Sequence, residues 1–314
     1  MHRRCLRRWS SGSLNSSSEV NSDLPESFYH DLPLTMTMER NERSVFPVID
    51  KHRMHVYETG VESETTLVFM SGSGTVSPVY DFKILYEKLS DCYRIIVIEK
   101  FGYGESDLHE VSCDIDTLVS IQRRALLDSG RKGPYILVPH SMSGLEAIRW
   151  KQLYPEEVKA IVGLDMATPQ TYKEWSPDMI ARRIRLMRRM RKCLDYGLLF
   201  WFPLNTRGLT KEEIRRQRQL WKRNAFNKCY IHEAEAVIGN AEVVESAGAI
   251  DCPILMFVSN GREVSSNWIS NCQEFARQMH AETVFLDCGH YVHHYESDSI
   301  SRNMERFLAN IESD

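Results

Sequence analysis

From residue 44 onward, short apolar runs alternate with stretches whose apolar positions recur every three or four residues. The runs at 44–49, 54–58, 66–70, 93–98, 135–139, 159–164, 254–258 and 283–286 are rich in β-branched and aromatic side chains and predict eight strands. Helical spacing marks 78–89, 115–127, 143–153 and 299–311. Strands alternating with helices of this length read as parallel neighbours joined by crossovers, since a hairpin cannot connect parallel strands. The pattern therefore predicts an α/β fold with a doubly wound, mostly parallel eight-stranded sheet.

After the sixth run the alternation breaks. Ile180, Ile184, Met187, Leu194 and Leu198 mark one buried helix face, 210–226 opens with Thr210 and Glu213 at capping-box spacing, and 230–244 continues to the next strand. We read 168–250 as a helical cap inserted into a core made of 41–167 and 251–314. It would cover the carboxyl edge of the sheet, where proteins of this class hold their ligands. Residues 1–40, with Arg3, Arg4, Arg7 and Arg8 ahead of a serine-rich stretch, read as a disordered or targeting tail.

Composition adds three points. With 42% hydrophobic and 26% charged residues among 314, the chain falls in the ordinary globular class, and no run approaches the roughly 18 apolar residues of a spanning helix. Eight cysteines without a CxxC pair argue for reduced thiols and hence a cytoplasmic location, with the mitochondrion as the alternative from the Arg/Ser-rich start. The net charge of −4 hides a basic segment, since residues 167–248 hold 16 Lys and Arg against 9 Asp and Glu. Beside the apolar run 198–204, that charge is compatible with peripheral membrane contact through the cap. No nucleic-acid motif accompanies it, so no nucleic-acid partner is expected.

Candidate chemistry begins where strand 135–139 runs through Pro139-His140-Ser141-Met142-Ser143-Gly144 into a helical pattern. A serine in such a strand–turn–helix is lifted into a sharp turn, with its Oγ exposed and a helix amino end behind it to stabilise negative charge. Ser141 is favoured over Ser143, for which Leu145 would occupy the crowded position. The competing reading makes Ser141 a plain helix cap.

These residues, taken in order with three further segments, resemble the α/β-hydrolase superfamily over about residues 53–309. The resemblance is nearest to capped members such as monoacylglycerol-lipase-like esterases and proline-iminopeptidase-like enzymes. Val68-Phe69-Met70-Ser71-Gly72-Ser73-Gly74 is similar to the family's His-Gly oxyanion loop with Ser71 in the histidine's place. Glu99 to Ser106 is similar to its Asp-x-x-Gly-x-Gly-x-Ser segment, and Cys288-Gly289-His290 to the late Gly-His. The resemblance implies Ser141 as nucleophile, His290 as base, and the backbone N–H groups of Ser73 and Met142 as oxyanion donors.

The third group of such a triad is open between two carboxylates. Glu263 lies in the loop after 254–258, the family's usual place, but one residue late. Asp165, after the sixth strand, sits in a Gly-Leu-Asp-x-Ala segment resembling that of pancreatic-type lipases, and it is favoured. His293 and His294 compete with His290 for the base. A metal site there is not expected, because no Cys or carboxylate set completes the cluster at ligand spacing.

The expected activity is hydrolysis of a small or medium carboxylic ester through an acyl-enzyme, with no cofactor and no metal. An amidase or aminopeptidase on the same triad is the first alternative, for which Glu212, Glu213, Glu233 or Glu235 would have to greet a substrate amine. A noncatalytic ligand-binding module with the same fold is the second. Chemistry with an Asp nucleophile is disfavoured by the serine at the turn.

Overall fold

The computed structural model describes residues 42–199 and 202–313. The expectations for residues 1–40 lie outside the described residues. One sheet holds, in spatial order, β1 (Arg43–Val45), β4 (His55–Gly60), β6 (Arg94–Glu99), β5 (Thr66–Met70), β7 (Tyr135–Pro139), β8 (Val158–Leu164), β9 (Ile254–Val258) and β10 (Glu282–Phe285). β2 (Val48–Ile49) and β3 (His52–Arg53) pair as a separate ribbon. β4 runs antiparallel to both neighbours and the other pairs of the large sheet are parallel. The eight-stranded, mostly parallel sheet read from the sequence is therefore present. Its first predicted strand, 44–49, is instead two short ones, because Pro47 has no N–H to give a ladder. The Pro47 carbonyl accepts from the Met54 N–H at 2.9 Å and turns the chain into the ribbon.

β5, β7 and β9 are buried along their whole length, as continuous apolar runs require when helices cover both faces. On one face α1 (Pro78–Leu89) and α9 (Ser297–Ser313) pack Phe82, Leu85, Met304 and Phe307 against Phe69, Val97 and Phe257. On the other, α2 (Ile115–Asp128), α3 (Ser143–Leu153) and α7 (Trp268–Met279) bring Val119, Trp150 and Trp268 against Val68, Leu137 and Met256. α7 is absent from the helices read from sequence, although its buried residues Trp268, Cys272, Phe275 and Ala276 carry helical spacing.

Between β8 and β9 the chain leaves the sheet and forms α4 (Pro177–Asp195), α5 (Lys211–Asn224) and α6 (Lys228–Ser246). Ile180, Ile184 and Leu194 face inward, but Leu198 is exposed: α4 ends at Asp195 and Gly197 takes a φ of 75°, which turns the chain off the helical stripe. α5 opens with the expected capping box, in which Thr210 Oγ1 accepts from Glu213 N–H and Glu213 Oε2 accepts from Thr210 N–H. Met187 packs against Tyr103, Cys229 and Tyr230. Within the apolar run 198–204, Phe200 and Trp201 lie outside the described residues.

A buried charge network ties this insertion to the core. Lys100 Nζ, just past β6, lies 2.8 Å from Glu146 Oε1 on α3 and 2.9 Å from Glu233 Oε1 on α6. Tyr103 donates its hydroxyl to Glu233 at 2.6 Å, and Gln122 Nε2 donates to Glu146 at 2.6 Å. Burial pushes the Glu233 carboxyl up. It would also lower Lys100, but the two carboxylates outweigh it and hold the ammonium above its ordinary value. Among the described cysteines, Cys113, Cys193, Cys229, Cys252, Cys272 and Cys288 are free. No described helix is long and apolar enough to cross a membrane.

Candidate active site

The turn between β7 and α3 sets the geometry. Ser141 adopts a φ of 55°, a left-handed conformation that a residue with a Cβ rarely takes. Neighbouring backbone holds it there: His140 N–H donates to Met70 O at 2.9 Å, and Ala167 N–H donates to Ser141 O at 2.8 Å. Close approach explains two glycines. A Cβ on Gly72 would stand 2.6 Å from Ser141 Cβ, and one on Gly144 only 2.2 Å from the Ala167 carbonyl oxygen. Ser143, the competing serine, is fully buried and donates its hydroxyl to the Met70 carbonyl at 2.7 Å. Ser141 remains half-buried.

Three side chains from distant parts of the chain meet here. Ser141 Oγ lies 2.8 Å from His290 Nε2, and His290 Nδ1 lies 2.6 Å from Asp165 Oδ2. A neutral imidazole in this position donates Nδ1–H to the carboxylate and accepts the serine proton at Nε2. Asp165 is fully buried at the end of β8, and its other oxygen accepts from Ser259 N–H and Trp268 Nε1–H, both at 2.7 Å. A dry carboxylate needs such donors, because an ionised group without them is strongly disfavoured in the interior.

Glu263 is close by but does a different job. Its Oε2 accepts the backbone N–H of His290 at 2.8 Å, and it makes no recorded bond to the ring. The two carboxylates left open by the sequence thus divide, with Asp165 on the imidazole and Glu263 on the loop that carries it. His293 and His294 turn away from Ser141 toward Asp81 on α1, donating Nε2–H to its two oxygens at 2.9 and 3.0 Å.

A carboxylate therefore does complete the His293 and His294 cluster, in space rather than in sequence. Burial would raise the Asp81 carboxyl, yet the imidazoles of His294 and His293 outweigh it and hold it well below the usual range. The donor set favours a hydrogen-bonded clamp over a metal. His293 Nδ1 is buried with no partner, and an imidazole metallated through Nε2 would have to carry an unsatisfied proton there.

Of the two residues expected as oxyanion donors, Met142 follows Ser141 directly and Ser73 follows Gly72, which abuts Ser141. Ser73 and Met142 are half-buried, and neither backbone N–H donates to a protein acceptor among the described residues. Ser71, in the position of the family's histidine, has a buried hydroxyl without a partner. His140 also lies under the site, donating Nε2–H to the His290 carbonyl at 3.2 Å, with ring centroids 4.8 Å apart. Burial, then the nearby imidazoles of His290 and His293, push His140 well below its ordinary value, so it stays neutral. Sequence reasoning missed Trp268, His140 and Asp81. Of these only Trp268 left a signal, its helical spacing, which shows burial but not where the indole N–H points.

The carboxylates suggested for a substrate amine are mostly occupied. Glu213 pairs with Lys83 at 2.5 Å, Glu233 with Lys100, and Glu235 with Arg188 at 3.5 Å, while Glu212 is exposed on α5.

No family model matches the sequence. The chain is 32% identical over 278 residues to the uncharacterized protein YbdG of Bacillus subtilis (strain 168), covering 84% of this chain and 85% of that one. Epoxide hydrolase 1 of Caenorhabditis elegans is 26% identical over 40% of this chain and 31% of its own length. In fold, a putative epoxide hydrolase from Pseudomonas aeruginosa superposes with a TM-score of 0.69 at 15% identity, over 87% of this chain and 97% of that one.

Proposed function

We propose that this chain, which has the α/β-hydrolase fold with a helical insertion, is a serine hydrolase cleaving a small or medium carboxylic ester through an acyl-enzyme. The observation that carries this reading is the unbroken chain from Ser141 Oγ to His290 Nε2 at 2.8 Å and from His290 Nδ1 to Asp165 Oδ2 at 2.6 Å. His290 takes the hydroxyl proton as Ser141 attacks the ester carbonyl, and the imidazolium that forms is stabilised by Asp165. The oxyanion develops against the N–H groups of Ser73 and Met142. Collapse expels the alcohol with the proton from His290, and water, activated by the same imidazole, releases the acid and restores Ser141.

Ester chemistry is favoured over that named for the epoxide hydrolases. Opening an epoxide through a covalent intermediate calls for a carboxylate nucleophile, whose ester water can cleave. Ser141 at that point would leave an ether, which water does not release. An aminopeptidase is the weaker reading, because Glu213, Glu233 and Glu235 already have cationic partners. The insertion over 168–250 acts as the cap that selects the acyl group. A fluorophosphonate probe should label the protein at Ser141, and Ser141→Ala should abolish both labelling and hydrolysis of a short p-nitrophenyl ester. Tight ligand binding with no turnover, unchanged by Ser141→Ala, would instead establish a noncatalytic module.

A further inference from the structure

We infer that the outer face of α4 docks the protein on a membrane surface containing anionic phospholipid. Ile180, Ile184 and Leu194 of this helix are buried. On the opposite side Arg182, Arg185 and Arg189 recur at three- and four-residue spacing, with Leu186 four residues after Arg182 and Asp178 at the amino end of the same face. The neighbouring arginines are engaged: Arg183 lies 4.3 Å over the Trp175 ring, Arg188 meets Glu235, and Arg191 meets Asp195 and the carbonyls of Arg223 and Ala225. Arg182, Arg185, Arg189 and Lys192 are exposed and form no ion pair among the described residues.

Unpaired charge alone describes a solvated face. What sets this region apart is apolar surface beside those charges: Leu186 on the helix is 59% exposed, and just past its carboxyl end Tyr196 is 82% and Leu198 60% exposed. An anionic bilayer matches both properties, since phosphate oxygens receive guanidinium N–H groups while leucine and tyrosine enter the interfacial layer. A polynucleotide would match only the charge and leave Leu186 and Leu198 in water. The docking surface is independent of the proposed chemistry at Ser141.

The test is co-sedimentation of the whole protein with vesicles of phosphatidylcholine, with and without phosphatidylserine. Binding should require phosphatidylserine and weaken as salt rises, because screening shortens the reach of exposed charges. Each arginine at such a surface is worth a factor of about five, so Arg182→Gln, Arg185→Gln and Arg189→Gln together should weaken binding roughly 100-fold. Leu186→Ser with Leu198→Ser should remove the part of the binding that survives high salt. Far-ultraviolet circular dichroism and hydrolysis of a water-soluble short ester should be unchanged in both variants, which separates lost docking from lost folding. Equal binding to both kinds of vesicle, no binding to either, or binding to single-stranded RNA alone would each overturn the proposal.

Discussion

Trp268 donates its indole N–H to Asp165 Oδ1 at 2.7 Å and stands edge-on to the His290 ring, with centroids 5.6 Å apart. One side chain thus holds the carboxylate and walls the imidazole, so the aim of His290 depends on α7. Trp268→Phe keeps the wall and removes the bond. A hydrogen bond to a charged group is worth about 1.5–3 kcal/mol, so kcat should fall roughly 10- to 100-fold with little change in KM. Steady-state hydrolysis of a short p-nitrophenyl ester measures it, and an unchanged kcat would remove Trp268 from the positioning shell.

The division of labour between the two carboxylates is directly testable. Asp165→Asn should lower kcat by roughly 10³- to 10⁴-fold, since the amide favours the wrong imidazole tautomer and cannot stabilise the imidazolium. Glu263→Gln keeps an acceptor for the His290 N–H and should stay within about tenfold of wild type, the loss expected of one weakened hydrogen bond. The reverse ranking would move the acid to Glu263.

Two buried histidines link stability to pH. Burial pushes both His140 and His293 below their ordinary values, so between the folded and unfolded values the unfolded chain binds more protons. Stability should therefore decline as pH falls below about 6.5, the unfolded value. Asp81 adds a loss of the same sign at more acid pH, because its depressed carboxyl favours folding only while ionised. Thermal unfolding followed from pH 8 down to pH 5 should show a falling midpoint, and His140→Gln should flatten the slope; a midpoint independent of pH would contradict the assignment of neutral imidazoles.

Among the described residues, Lys100 is the one cation paired with Glu146 and Glu233. Removing one partner of a buried pair costs about 3–5 kcal/mol, so Lys100→Met should lower the unfolding midpoint markedly. The double change Lys100→Met with Glu233→Gln should recover part of that loss, which a calorimetric comparison would reveal.

The fold was legible because its signals are local: β-rich runs, helical spacing and a strand–turn–helix at Ser141 each lie within a dozen residues of sequence. His290 was legible for the same reason, through Gly289 beside it. The choice between Asp165 and Glu263 was not, since both follow adjacent parallel strands and only the tertiary approach of the imidazole separates them. Trp268 reaches Asp165 across 103 residues and His293 reaches Asp81 across 212, and nothing in the chain's periodicity records such meetings. Pro47 was visible, but its division of the first strand required knowing that the ladder there is paired.

The knot of Lys100, Glu146, Tyr103 and Glu233 also bears on engineering. Cutting out the helical insertion, or exchanging it for that of a relative, would remove Glu233 and leave the Lys100 ammonium and the Tyr103 hydroxyl each without a buried partner. Changes to the insertion are therefore best confined to positions that leave Glu233 in place, because grafting a whole module would uncouple three buried polar groups at once.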